Sequence, residues 1–129
     1  MNRPAGVLIS TSISLLITLF FLVLPVAFGE ESNPKVVQLY NTYCVQCHGI
    51  GRNGKGVNSR DMSVQPKDHT DAKGMGDIPD EELFHAIQNG GLSVNKSALM
   101  PAWGGVLSDR DINELVVYLR QVCKCGTQK

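Results

Sequence analysis

The chain has 129 residues, enough for one domain, and its 12 Lys and Arg residues balance its 12 Asp and Glu residues. This balance of charge argues against a nucleic-acid-binding protein, which would need a strongly basic surface. Beyond the N-terminal apolar segment, the five remaining aromatic residues are Tyr40, Tyr43, Phe84, Trp103 and Tyr118. That is a small supply for a core built from side chains alone, and a large flat prosthetic group would explain it.

The N-terminal segment has the pattern of an export signal. A basic start precedes 18 uncharged residues from Val7 to Leu24, and a proline and small residues then suit cleavage after Gly29. We therefore expect residues 1–29 to be a signal peptide and residues 30–129 to form the functional domain outside the cytoplasm. An uncleaved membrane anchor is the alternative, although Ser and Thr residues within the stretch weaken it.

The first helix is predicted to begin at Pro34, which is well suited to a first helical position, with Asn33 or Ser32 as its cap. One face of this helix collects Val36, Tyr40, Tyr43, Cys44 and Cys47. The pattern predicts that an amphipathic helix ends in the two cysteines and turns both toward the core.

Residues 44–48, CVQCH, form the most informative motif of the chain. Two thiols three positions apart share one face of a helical turn, so Cys44 and Cys47 can reach the two vinyl groups at one edge of a porphyrin. The adjacent His48 can then place its ring under the iron. This is the pattern of a c-type haem attachment site. Half of a zinc site and a redox-active CxxC pair are the alternatives.

From Gly49 to Ile78 the sequence shows neither a helical nor a strand period, and its first eight residues contain four glycines. A structureless run of this length is expected where it surrounds a bound group. Glycine allows the backbone to approach such a group closely. We therefore expect this segment to cover the proximal side of a haem.

Pro79 and Asp80 open a second predicted helix, which ends at Gly90-Gly91. His85 lies off its apolar face and is expected on the surface. The apolar face is formed by Leu83, Phe84 and Ile87. The segment from Ser97 to Gly105 contains a proline and two glycines and is predicted to be a shaped loop.

Ser108 is the predicted cap of a third helix, and Asp109 and Asp111 complement the helix dipole in its first turn. Arg120 and Lys124 stand near its C-terminus, where cations are favourable. The predicted buried stripe is Ile112, Leu115, Val116, Leu119 and Val122.

An iron held by one histidine needs an open position or a second axial ligand. The candidates beyond the N-terminal segment are Met62, Met75, Met100, His69 and His85. A thioether favours Fe(II) and raises the reduction potential, as suits an electron carrier. Met100 is the best placed, because Pro101 fixes its loop between two helices; Met62 and Met75 are expected to fill the core.

Over about residues 34–122 the sequence resembles the small class I c-type cytochromes. The resemblance rests on His48, the run MPAW at residues 100–103 and the run LSD at residues 107–109. It implies an all-α cytochrome c fold with three main helices and long loops around one covalently attached haem. It also implies that the first and last helices cross, with Tyr40 near Leu115 and Tyr118.

The resemblance further implies how the haem c would be held. The implied cofactor residues are Cys44 and Cys47 as thioether positions, His48 as proximal iron ligand and Met100 as distal iron ligand. One departure concerns the backbone carbonyl that accepts the ring N–H of the proximal histidine. Similar members often have proline near it, whereas here Gly56 is followed by Val57. The residue that supplies this carbonyl is therefore left open.

Cys123 and Cys125 have no place in the pattern of the family. A disulfide between them, free thiols, an intermolecular bridge and a redox role all stay open. A zinc site that joined them to Cys44 and Cys47 is the strongest rival to haem. It would need both pairs to be free and a spacing shorter than is usual for zinc.

The expected function is one-electron transfer by Fe(III)/Fe(II) cycling between redox partner proteins in a bacterial periplasm, without bond chemistry of its own. Candidates for the surface that docks redox partners are Gln46 and the glycine-rich segment that begins at Gly49, including Arg52 and Lys55. One alternative is a haem subunit of a larger respiratory oxidoreductase, tethered by Val7 to Leu24. Another is a redox or gas sensor in which Met100 leaves the iron and the two C-terminal cysteines switch state.

Overall fold

In the computed structural model, residues 32–126 are described, and within that range the chain forms helices and loops without a strand. The five α-helices are α1 (Pro34–Tyr43), α2 (Val45–His48), α3 (Ala72–Gly76), α4 (Asp80–Asn89) and α5 (Asp109–Cys123). A 3₁₀ turn, Gly91–Val94, follows α4. The all-α prediction is confirmed, and the three predicted helices are the three long ones.

The predicted signal peptide, residues 1–29, and the anchor alternative at Val7 to Leu24 lie outside the described residues. Within residues 32–126 no helix is long and apolar enough to cross a membrane.

Helix α1 begins as the sequence predicts. The Asn33 side chain accepts a hydrogen bond of 3.0 Å from the Lys35 backbone N–H, and proline follows the cap. The helix is interrupted at Cys44, whose φ of −114° departs from the helical value, and α2 then begins at Val45. The prediction that one continuous helix carries the cysteines is therefore wrong in detail, since the motif occupies a separate turn.

Helix α3 was not predicted, because it lies in the run from Gly49 to Ile78 that shows no period. Its five residues include two glycines, so propensity gives no sign of it. The Asp71 side chain caps it by accepting from the Gly74 N–H at 3.0 Å, and Met75 is completely buried. A side-chain cap and one buried residue are sufficient to define a turn this short.

Helix α5 is the element that organises the core, since it contacts α1, α3 and α4. It begins with a capping box in which the Ser108 hydroxyl accepts from the Asp111 N–H and the Asp111 carboxylate accepts in return from the Ser108 N–H. Its buried residues are Ile112, Leu115, Val116, Tyr118, Leu119, Arg120 and Cys123. Val122, predicted to be buried, is only partly so.

The crossing of α1 and α5 agrees with the resemblance. The rings of Tyr40 and Tyr118 meet edge to face with their centroids 5.5 Å apart, and Leu115 belongs to the same buried cluster. The Lys35 ammonium lies 2.6 Å from the Asp111 carboxylate and forms a second link between the helices.

Arg120 stands in the last turn of α5, as predicted, but it does more than complement the helix dipole. Only 4% of the residue is exposed, and its guanidinium pairs with Asp80 at 2.6 Å. It also donates to the carbonyls of Met75 and Ile78 at 2.6 and 2.5 Å. One side chain of α5 therefore holds the end of α3 and the start of α4.

Cys123 and Cys125 are joined to each other by a disulfide, so they are neither free thiols nor bridged to another chain in this structure. Neither sulfur is then available as a thiolate, and the four-thiolate zinc site with Cys44 and Cys47 is ruled out in this state.

Candidate haem-binding site

One cavity of about 360 Å³ brings the predicted site residues together. The lining includes Cys44, Cys47, His48 and Met100, although His48 and Met100 are 52 positions apart in the sequence. The long helices contribute an apolar wall formed by Leu83, Ile87, Leu115 and Leu119. A cavity of this size and lining is typical of cofactor sites.

The two motif cysteines are free and half-buried at this wall. Burial, and secondarily the neighbouring Cys47 thiol, raises the pKa of Cys44 to about 12. Cys44 is therefore a thiol at neutral pH, and addition of its S–H across a vinyl group would give a thioether. Among residues 32–126, no group of three or more His, Cys, Asp or Glu residues is arranged to hold a metal ion.

The glycine loop, residues 49–58, folds back on the motif. The N–H groups of Gly54, Gly56 and Asn58 donate to the carbonyls of residues 48, 47 and 46, respectively, at 2.9, 3.0 and 2.9 Å. These carbonyls belong to the end of α2 and would otherwise lack partners. The loop thus completes the hydrogen bonding of the motif and fixes its backbone.

Among the glycines of this loop, Gly56 lies closest to the backbone of the motif. A Cβ at this position would lie 2.3 Å from the Gln46 carbonyl oxygen and 2.6 Å from the Cys47 carbonyl carbon. Gly56→Ala is therefore expected to lower the free energy of unfolding by about 2 kcal/mol, because the loop must move away from the motif. Urea unfolding followed by circular dichroism measures this loss.

Gly105→Ala is the matched control, since a Cβ added there meets no atom within 4 Å. We expect the urea midpoint of Gly105→Ala to remain close to that of the wild type. Equal losses from both substitutions would contradict the proposed contact between loop and motif.

His48 is oriented by the backbone. Its Nδ1 lies 3.0 Å from the carbonyl oxygen of Lys67, and a carbonyl only accepts, so Nδ1 carries the hydrogen and Nε2 keeps its lone pair. Burial lowers the pKa of His48, and the Lys67 carbonyl opposes that shift. The carbonyl left open by the sequence therefore belongs to Lys67, which follows Pro66.

The loop of Met100 is anchored to the end of α4 and to the 3₁₀ turn that follows it. The Gly91 N–H donates to the Met100 carbonyl at 3.0 Å, and the Trp103 N–H donates to the Ile87 carbonyl at 3.0 Å. The Trp103 ring packs on Tyr43 with the centroids 5.1 Å apart. The predicted shaped loop is confirmed, and these contacts hold it at the edge of the cavity.

The other two methionines differ from each other. Met75 is completely buried in the core and does not line the cavity, so its prediction as core filler is confirmed. Met62 lines the cavity, so for Met62 the same prediction is wrong. The segment that carries Met62 has no periodicity that could have shown this.

The two remaining ligand candidates are histidines, one of them exposed and the other buried. His85 is exposed, 3.6 Å from the Glu81 carboxylate, and its surface prediction is confirmed. His69 is only 7% exposed and stacks on His48 with the ring centroids 4.3 Å apart. It therefore lies beside the proximal candidate rather than opposite it. Burial lowers the pKa of His69 to about 3, so its ring is neutral.

Arg52, a candidate for the docking surface, is half-buried. Its Nε donates to the Tyr118 hydroxyl at 2.7 Å, and its guanidinium carbon lies 5.2 Å from the Tyr40 ring centroid. Since the glycine loop turns this side chain inward, Arg52 supports the crossing of α1 and α5. Gln46 and Lys55 are exposed, as their proposed docking role requires.

Residues 32–119, more than half of the chain, match the protein family described as cytochrome C oxidase, cbb3-type, subunit III. The chain is also similar to a solved structure named KustC0563 c-type cytochrome, with a TM-score of 0.53 and 22% sequence identity. The similarity covers 67% of this chain and 94% of that one and indicates a shared fold. A cytochrome c domain is a haem-based electron carrier or a subunit of an oxidase, and its haem c is covalently bound. The chain therefore belongs to the c-type cytochromes, in the family of cytochrome c oxidase, cbb3-type, subunit III.

Proposed function

We propose that this chain carries single electrons on one haem c. The proposed attachment points are Cys44 and Cys47, and the proposed axial ligands are His48 and Met100. The observation that supports this assignment is that all four residues line one cavity of about 360 Å³.

The residues around the cavity fit such a group. A neutral imidazole and a thioether are the ligand pair of electron-transfer cytochromes. The apolar wall suits the porphyrin face, and Lys67 and Lys96 at the polar part of the lining suit carboxylate substituents. The hydrogen bond from Nδ1 of His48 to the Lys67 carbonyl leaves Nε2 with the free lone pair that an iron ligand needs, on a residue that lines the cavity.

Bound haem supplies a one-electron Fe(III)/Fe(II) couple. The part of the protein is to keep both ligands in place in the two oxidation states. The Lys67 carbonyl fixes the tautomer of His48, and the anchored loop fixes Met100. Two permanent ligands leave no open position for bond chemistry, so electron transfer is the reaction that this arrangement supports.

Donor and acceptor proteins would meet the chain at the edge that carries the thioether positions. Gln46 is exposed between the two cysteines, and Ile50 and Val57 of the glycine loop are 73% and 80% exposed. An exposed apolar edge of this kind suits a short-lived encounter with a redox partner. We place the protein in the periplasm, consistent with the export signal expected at residues 1–29.

A second candidate is a haem subunit of a larger oxidase, which the name of the matching family favours. In that assembly the chain would pass electrons within a complex instead of diffusing between partners. Fractionation distinguishes the two, because a soluble carrier is released from the periplasm by osmotic shock and a subunit stays with the membrane.

A potentiometric titration of the purified protein tests the proposed function. We expect a single reversible one-electron step accompanied by the spectral change of a low-spin haem. A protein that shows no reversible step, or that binds carbon monoxide as soon as it is reduced, would contradict a carrier with two permanent ligands.

A further inference from the structure

His69 is a buried imidazole in the haem-binding cavity that the proposed ligand set does not use. It is 7% exposed and lines the cavity beside His48. A buried polar ring is costly unless it is held by specific contacts, so the contacts of His69 indicate why it is there.

His69 is held both at its ring and at its backbone. Its Nδ1 shares a hydrogen bond of 3.1 Å with the Tyr40 hydroxyl, and the backbone N–H of His69 donates to the Arg52 carbonyl at 2.8 Å. Tyr40 is itself 1% exposed and packs against Tyr118. Rotation of the His69 ring would therefore break a buried hydrogen bond and disturb the crossing of α1 and α5.

One face of this fixed ring covers a face of His48. The two rings are stacked, with centroids 4.3 Å apart and planes 16° from parallel. The Lys67 carbonyl holds His48 at one atom, Nδ1, which directs Nε2 but permits the ring to rock about that bond. The stack with His69 adds a second constraint on the plane of the ring.

We propose that His69 is a positioning residue, which sets the plane of the His48 imidazole and lowers the reduction potential relative to an apolar residue at the same place. This inference rests on the proposed role of His48 as proximal ligand. The reduction potential is expected to be lower because a polar ring next to the ligand stabilises the more highly charged ferric state better than a hydrocarbon does.

Two substitutions separate the two effects. His69→Phe keeps a flat ring that can stack on His48 but removes the ring nitrogens, whereas His69→Leu removes both. The measurements are the reduction potential and the spread of the paramagnetically shifted haem methyl signals in the proton NMR spectrum of the ferric protein. That spread reports the orientation of the axial imidazole plane.

We expect both substitutions to shift the potential to more positive values. We expect His69→Leu to change the methyl spread strongly, because the stacked ring and its hydrogen bond are both lost, and His69→Phe, which loses only the hydrogen bond, to change it less. Tyr40→Phe removes only the hydroxyl that holds His69, and it should change the spread in the same sense as His69→Leu. His85→Leu is the matched control at an exposed histidine and should alter neither quantity.

A wild-type potential and methyl spread in both His69 variants and in Tyr40→Phe would overturn the inference. If His69→Leu fails to retain haem, His69→Phe decides the effect on the potential and Tyr40→Phe decides the effect on the ring plane. If the wild-type protein has low-spin haem but the variants keep its potential and methyl spread, only the role proposed for His69 is refuted. If the wild-type protein has no low-spin haem, both the proposed function and this inference are refuted.

Discussion

Met100→Ala is expected to lower the reduction potential by at least about 120 mV, which corresponds to a hundredfold change for a one-electron couple. The thioether favours Fe(II), and alanine offers no replacement for it. The loop itself should keep its place, because its anchors are backbone hydrogen bonds, at Trp103 to α4 and at Gly91 to the 3₁₀ turn. The measurement is a potentiometric titration, with carbon monoxide added to the reduced protein as a test for an open iron position.

Met62→Ala distinguishes the two thioethers that line the cavity. The account assigns the ligand role to Met100, so carbon monoxide should bind the reduced Met100→Ala protein and not the reduced Met62→Ala protein. The reverse pattern would transfer the ligand role to Met62. An unchanged potential in Met100→Ala would show that Met100 is not a ligand.

Arg120→Leu is expected to lower the free energy of unfolding by about 3 kcal/mol, because a buried, paired charge and its hydrogen bonds are lost together. The guanidinium contacts the Asp80 carboxylate and the carbonyls of Met75 and Ile78 with 3% of its side chain exposed. A leucine fills part of the space but cannot donate to any of these oxygens. Guanidinium chloride unfolding with the disulfide intact measures the loss.

Arg110→Leu is the matched control on the same helix. Its side chain is 86% exposed and pairs with Glu114, an i,i+4 contact of a kind that contributes a few tenths of a kcal/mol. We expect its unfolding midpoint to stay near that of the wild type. Similar midpoints for the two arginine variants would contradict the role given to Arg120.

The helices could be predicted because their signals are local. Asn33 and Pro34 begin α1, Ser108 with Asp111 begins α5, and Gly90 ends α4 with a positive φ of 83°. Each of these signals acts within a few residues of the chain. The haem motif is equally local, since its two cysteines and its histidine occupy five consecutive positions.

The unpredicted features depend on partners far apart in the sequence. Arg120 is defined by oxygens 40 to 45 positions away, and His69 by Tyr40, 29 positions away. A cation near a helix end and a histidine in an aperiodic loop carry no mark of such partners. Helix α3 is hidden for another reason, because a five-residue turn with two glycines has no period to recognise.

The most direct test of the account is the mass of the protein purified from a host that attaches haem c. We predict one added haem for each chain, located on the proteolytic peptide that contains Cys44 and Cys47, and its loss when both are replaced by serine. A mature chain without the added mass, or with haem that remains attached in that double variant, would contradict the account.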